Sequence, residues 1–112
     1  MSAKIATGIT DAPLDSSSLI DSARDDMCGA VASFIGVVRN HDGGESVDAI
    51  EYSSHPSSSQ VLRAIVEEFA NRPGVHRIVA WHRVGRLAIG DDAMVVAVAA
   101  AHRGQAFRAV EG

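Results

Sequence analysis

The chain has 112 residues, 46% hydrophobic and 21% charged, a usage that suits one folded domain over residues 1–112 and is too apolar for a disordered chain. A net charge of −4 and only 4% aromatic residues exclude the cation clusters and stacking platforms on which nucleic-acid binding depends, so no nucleic-acid partner is expected. With Cys28 as the only cysteine, no signal-peptide core after Met1, and no apolar run longer than Ala93 to Ala101, about half of the ~20 residues that span a bilayer, the address expected is cytoplasmic and no membrane partner is expected.

Lys4 to Ile9 alternates as an edge strand does, and Pro13 with Asp15-Ser16-Ser17-Ser18 then supplies a break and caps for a short helix around Leu19 to Arg24, closed by Asp25-Asp26. Cys28 to Val38 is small, β-branched and apolar, which predicts a central, largely buried strand, with Gly36 marking a bulge or a close backbone approach. The polar stretch Arg39 to Ser46 follows as an exposed loop, and Val47 to Ser53 returns as a strand forming a hairpin with the one before, Ile50 and Tyr52 on one face. Ser54-His55-Pro56 begins a helix whose apolar stripe is Val61, Leu62, Ile65, Val66 and Phe69, with Arg63, Glu67, Glu68 and Asn71 outward, and Asn71-Arg72-Pro73-Gly74 ends it. Val75 to Val84 is a strand with Ile78, Ala80 and His82 on one face and Val79, Trp81 and Arg83 on the other. A short strand, Arg86 to Ile89, then a turn at Gly90-Asp91-Asp92, a long apolar strand from Ala93 to Ala101, and a helix from Gln105 to Val110 complete the series. Hairpins outnumber crossovers in this order, so the fold class expected is α+β, with a mainly antiparallel sheet and two to three helices.

The five histidines are scattered without ligand spacing, and no metal site or cofactor is expected. Gly85 to Gly90 has the glycine spacing of a phosphate loop, but Asp91-Asp92 stands where Lys and Ser/Thr are needed, and a hairpin is the better reading. The pairs Asp25-Asp26 and Asp91-Asp92 read as solvated turn residues, and Cys28, between Met27 and an apolar strand, as a buried structural thiol rather than a nucleophile. Two constellations remain, Arg39-Asn40-His41 after one apolar strand and His102-Arg103 after another. A strand end can present guanidinium, which grips an oxyanion by two parallel hydrogen bonds, and imidazole, which moves a proton near neutral pH. The same groups also fit strand-end charges kept in water.

Gly29 to His41 with Gly44, Ser46 and Val47, then His82-Arg83-Val84-Gly85 with Gly90-Asp91, then Ala101-His102-Arg103 with Ala106-Phe107, occur in one order from about Lys4 onward. In that order and spacing they resemble the molybdopterin synthase large (catalytic) subunit family. The resemblance implies an α/β-hammerhead-like core and a homodimer that binds two small ubiquitin-like sulfur-carrier subunits as a heterotetramer. It implies sulfur transfer, from a carrier thiocarboxylate to cyclic pyranopterin monophosphate, making molybdopterin for molybdenum cofactor biosynthesis. It assigns substrate binding to Val37, Val38 and Arg39 at one strand end and to His102 and Arg103 at another, the latter reaching the neighbouring subunit's pocket. Phe34 is expected in the core rather than against substrate. The family's two-lysine segment has no counterpart here, where Lys4 is the only lysine, so the chain is expected to be a C-terminally shortened member without identifiable catalytic residues, poorly binding or inactive. The alternative is a non-catalytic dimerising module that binds the carrier, and a small anion-binding α+β domain of another family is the third reading.

Overall fold

The computed structural model describes residues 3–39, 41–42, 45–46, 49–52 and 58–111. Along them run β1 (Lys4–Thr10), α1 (Ser16–Asp21), β2 (Ala30–Val37), β3 (His41–Asp42), β4 (Glu45–Ser46), β5 (Ala49–Tyr52), α2 (Ser58–Ala70), β6 (Val75–Arg83), β7 (Gly85–Ala88), β8 (Asp92–Ala100) and α3 (Arg103–Glu111). The main sheet has the order β1-β6-β8-β2, in which only β1 and β6 are parallel; β3-β4 and β5-β7 form two-stranded pairs. The architecture is therefore α+β, mostly antiparallel, with three helices among the described residues.

Residue size explains which strands lie inside. In β8, Val95, Ala97, Ala99 and Ala100 are completely buried, because alternate small side chains let layers close on both faces of one strand. On one face α2 and α3 pack Val66, Ala70 and Ala109 against Ile78, Ala80 and Val98. On the other face α1 and the turn after it bring Leu19, Ile20 and Ala23 onto Val79, Ala97 and Trp81. Gly8 sits beneath the Trp81 ring, where an added Cβ would fall inside the indole, so no larger residue fits without displacing it.

Local chemistry sets the helix ends. The Asp15 carboxylate accepts from the Ser18 N–H at 3.2 Å and from its hydroxyl at 2.9 Å, which starts α1 at Ser16, three residues before the expected Leu19, and it ends at Asp21 rather than Arg24. In α2 the apolar stripe is wider than its contact: Val66 and Ala70 are buried, while Val61 and Ile65 stay half in water. Arg72 lies over the Phe69 ring at 4.2 Å, and Gly74, at φ 81°, reverses the chain so that its carbonyl accepts the Ala101 N–H at 2.8 Å.

Four expectations are corrected. The strand from Cys28 to Val38 is not central; as β2 it forms the edge of the sheet beside β8, with Val31, Phe34, Ile35 and Val37 exposed. Phe34 is accordingly outside the core, 52% exposed. β5 pairs with β7 instead of β2, and β3 with β4 place extended backbone inside the stretch read as loop. The Gly36 expectation is met, since the β2-β8 register shifts between Gly36 and Val37. The helix start expected at Ser54-His55-Pro56, the hairpin glycines Gly43 and Gly44, and the facing of Ile50 and Tyr52 lie outside the described residues.

Candidate functional site

Arg39 follows β2 directly, and Val38 fixes how it leaves the sheet. The Val38 side chain is 2% exposed, packed with Leu87, Ala93 and Ile89, while its N–H donates to the Asp91 carbonyl at 3.0 Å and its carbonyl accepts the Gly90 N–H at 2.8 Å. With side chain and backbone both engaged, Val38 is an anchor, and the groups that face solvent are Val37 and Arg39.

The hairpin beneath that anchor is tied by Asp91, which the sequence pattern alone presents as a solvated turn acid. Asp91 Oδ2 accepts from Arg83 Nη1 at 3.1 Å and from the Ala88 N–H at 2.9 Å, and the Arg83 side chain is only 16% exposed. Asp92 receives the Ser16 hydroxyl, joining α1 to β8. Neither acid is a free turn residue. The signal was present in the strand facing, which put Arg83 opposite His82, but nothing in one chain's pattern names a partner eight residues on.

His102 and Arg103 stand at the other end of β8. His102 caps α3: its carbonyl accepts the Ala106 N–H at 3.2 Å, and its own N–H donates to Gln105 Oε1 at 3.2 Å, the glutamine reaching back three positions as in a capping box. The cap holds the backbone still while both the His102 and Arg103 side chains are exposed.

Strand direction decides what meets. β2 and β8 are antiparallel, with Val37 opposite Asp92 and Ala30 opposite Ala100, so Arg39 lies beside the start of β8 and His102 beyond its end. Nine residues at about 3.3 Å each separate the two clusters by roughly 30 Å within one chain. Arg39 with Val37 is one cluster, His102 with Arg103 another, and one copy does not bring them together.

Cys28 is half-buried on a cavity of about 310 Å³ lined by Arg24, Asp25, Gly29, Ala30 and Val31, not fully buried as expected. Burial raises its pKa first and the Asp25 charge adds to this, with Arg77 opposing. The thiol is therefore protonated at neutral pH, and alkylation by iodoacetamide at pH 7.5 is expected to run at least about threefold slower than for a free cysteine peptide. Equal or faster alkylation would return Cys28 to the list of reactive groups. Among the described residues no set of three or more His, Cys, Asp or Glu side chains could hold a metal, and no helix is long and apolar enough to cross a membrane.

The family model described as MoaE protein matches residues 9–112. The molybdopterin synthase catalytic subunit of Escherichia coli is 42% identical over 88 residues, 78% of this chain and 59% of that protein. That of a Nostoc species is 37% identical over 103 residues, 90% of this chain and 62% of that protein. The solved molybdopterin biosynthesis MoaE protein of Burkholderia ambifaria superimposes with a TM-score of 0.83 at 34% identity, covering 97% of this chain and 71% of that one. The chain thus spans about three fifths of the length of the curated relatives it matches.

Proposed function

The chain belongs to the MoaE protein family, and on that premise we propose that it serves molybdenum cofactor biosynthesis as the large, catalytic subunit of molybdopterin synthase. The reaction is sulfur transfer from the thiocarboxylate of a small ubiquitin-like carrier subunit to cyclic pyranopterin monophosphate, yielding molybdopterin. The observation that carries the reading is the pair of exposed cationic strand ends, Arg39 and His102-Arg103, which suit a phosphate-bearing, oxygen-rich substrate. Val37 and Arg39 contact substrate, Val38 holds them in place, Arg103 grips an anionic oxygen, and His102 donates a hydrogen bond or moves a proton. Sulfur arrives on the carrier, so no cysteine is required of this chain. Its setting is the cytoplasm.

The roughly 30 Å between the clusters makes the site a property of two copies. Among the described residues β2 is an edge strand whose outer backbone groups have no ladder partner, with apolar side chains alternating to both faces, Val31 and Ile35 to one and Phe34 to the other, and Val37 exposed past the register shift. Antiparallel pairing of β2 with its copy is self-complementary and lays the Arg39 end of one protomer beside the Ala30 end of its partner, which adjoins β8 and hence His102 and Arg103. Each pocket then takes Arg39 from one protomer and His102-Arg103 from its partner.

Ile35→Lys tests the assembly, because a charge on the exposed face of an edge strand opposes pairing without entering the core. Sedimentation is expected to show a monomer with an unchanged far-ultraviolet spectrum, and calorimetry a loss of precursor binding; a dimer that still binds would sink the reading. Incubating the chain with thiocarboxylated carrier and precursor and assaying molybdopterin tests the chemistry. A second reading, a dimerising module that binds the carrier without turnover, is favoured by the position of the only lysine, Lys4, which β6 and β8 separate from β2 and which lies level with its Ala30 end. Carrier binding without product would select it.

A further inference from the structure

Lys4 and Arg77 face each other in the parallel β1-β6 ladder, so their side chains leave the same face of the sheet. That face is the one α1 covers, since Val79, two residues beyond Arg77, packs on Leu19, Ile20 and Ala23. Like charges at facing positions repel, and here they border a cavity of about 160 Å³ whose walls are Lys4, Ile5, Ala6, Ser22, Arg77 and Val79.

The guanidinium is poorly served by the protein. Arg77 Nη1 reaches the Ser22 carbonyl at 3.4 Å and Nη2 reaches Asp25 Oδ2 at 3.5 Å, both long beside the ~2.7–2.9 Å of a charge-assisted hydrogen bond. Its Nε is buried with no acceptor among the described residues. Asp25 is not free to close on it, because the other carboxylate oxygen is held by the Met27 N–H at 2.9 Å. Arg24 adds no net charge, being paired with Asp21 at 3.1 Å. Two cations against one restrained carboxylate leave an unneutralised positive charge beside a void, in a chain that is acidic as a whole.

We propose that Lys4 and Arg77 form a phosphate-binding cleft on the α1 face, separate from the strand-end site. The void has room for several waters, hence for one tetrahedral oxyanion, and guanidinium with ammonium is the donor set that recognises one. A second cavity of about 450 Å³, which Lys4 and Asp25 also line together with Arg72 and His76, can take the remainder of a phosphomonoester. The cleft stands on these contacts alone and does not depend on the reading of Arg39 and His102.

The test titrates inorganic phosphate, and separately glycerol 3-phosphate, into the isotope-labelled full chain at constant ionic strength, following backbone amide shifts. Carrying Arg39→Ala and Arg103→Ala throughout removes the strand ends from the measurement. Saturable shifts are expected at Lys4, Ile5, Ser22 and Arg77, and tighter binding of the monoester would assign the larger cavity to its organic part. Lys4→Gln, at an exposed position, is expected to weaken binding roughly three- to fivefold, the size of one solvent-exposed charge contact. Asp25→Asn keeps an oxygen for Met27 while removing the rival negative charge, and is expected to tighten binding by a similar factor. Shifts that never saturate, or that neither substitution changes, would overturn the proposal.

Discussion

Mixing Arg39→Ala chains with Arg103→Ala chains is expected to recover roughly a quarter of the precursor-binding sites that either variant alone has lost. Each substitution removes a guanidinium contact to an anionic oxygen, worth about 1.5–3 kcal/mol, so each homodimer should bind about ten- to hundredfold more weakly. In a mixed dimer the two defects fall in the same pocket. The other pocket then draws Arg39 from the Arg103→Ala chain and Arg103 from the Arg39→Ala chain, and is intact. Random exchange makes about half the dimers mixed, each with one good pocket of two. Refolding the variants together, isolating the doubly tagged species and measuring binding stoichiometry by calorimetry reads this directly. If mixed dimers bind no better than their parents, Arg39 and Arg103 do not share a pocket across copies, and the antiparallel β2 arrangement fails with it.

Leu87→Ala is expected to cost about 3 kcal/mol of stability. Leu87 is completely buried, closed in by Val38, Ala93 and Ile89, at a place where a short strand meets the end of the main sheet. Truncation removes the transfer energy of the side chain and leaves a hole that rigid β-structure fills poorly, within the ~2–5 kcal/mol span of such changes. The melting temperature should fall by on the order of 10 °C, with the denaturant midpoint lowered at unchanged slope. Val61→Ala, on the exposed flank of α2, should shift stability by less than about 0.5 kcal/mol. A loss under about 1 kcal/mol for Leu87→Ala would mean the cluster collapses to fill the gap. Because Val38 rests on Leu87, the same variant should also loosen the strand end from which Arg39 projects, weakening precursor binding beyond what the lost stability explains.

Periodicity identified the elements well and their neighbours poorly. The run from Ala93 to Ala101 and the run from Cys28 to Val38 are both long and apolar, and the second was expected to be central and largely buried. It is the first that is enclosed, as β8; the second is the edge strand β2. An apolar strand records that its faces avoid water without recording whose atoms cover them, and a face left to another molecule would be written in the same residues as a core. Pairing is similarly hidden: β5 joins β7 across the whole of α2 and β6, a choice made by tertiary contact that the adjacent Val47 to Ser53 pattern does not contain.

The candidate site divides the same way. Arg39, His102 and Arg103 stand out as candidates from their place after apolar strands and from the motif blocks around them. Their separation was not, because it follows from the opposed directions of β2 and β8, which only the ladder between them reveals. Asp91 and Asp92 looked like ordinary turn acids since a carboxylate that ties Arg83 and Ala88 has the same local sequence as one in water.

The Trp81 ring over Gly8 has a practical meaning for anyone following the unfolding of this chain. It is the only indole, and it lies on the α1 side, so intrinsic fluorescence reports the release of that layer and is blind to the layer built from α2 and α3. Circular dichroism is weighted the other way, toward the longer helices. Agreement between the two signals is thus a genuine measure of cooperativity across the sheet, and disagreement would show that its two sides melt in separate steps.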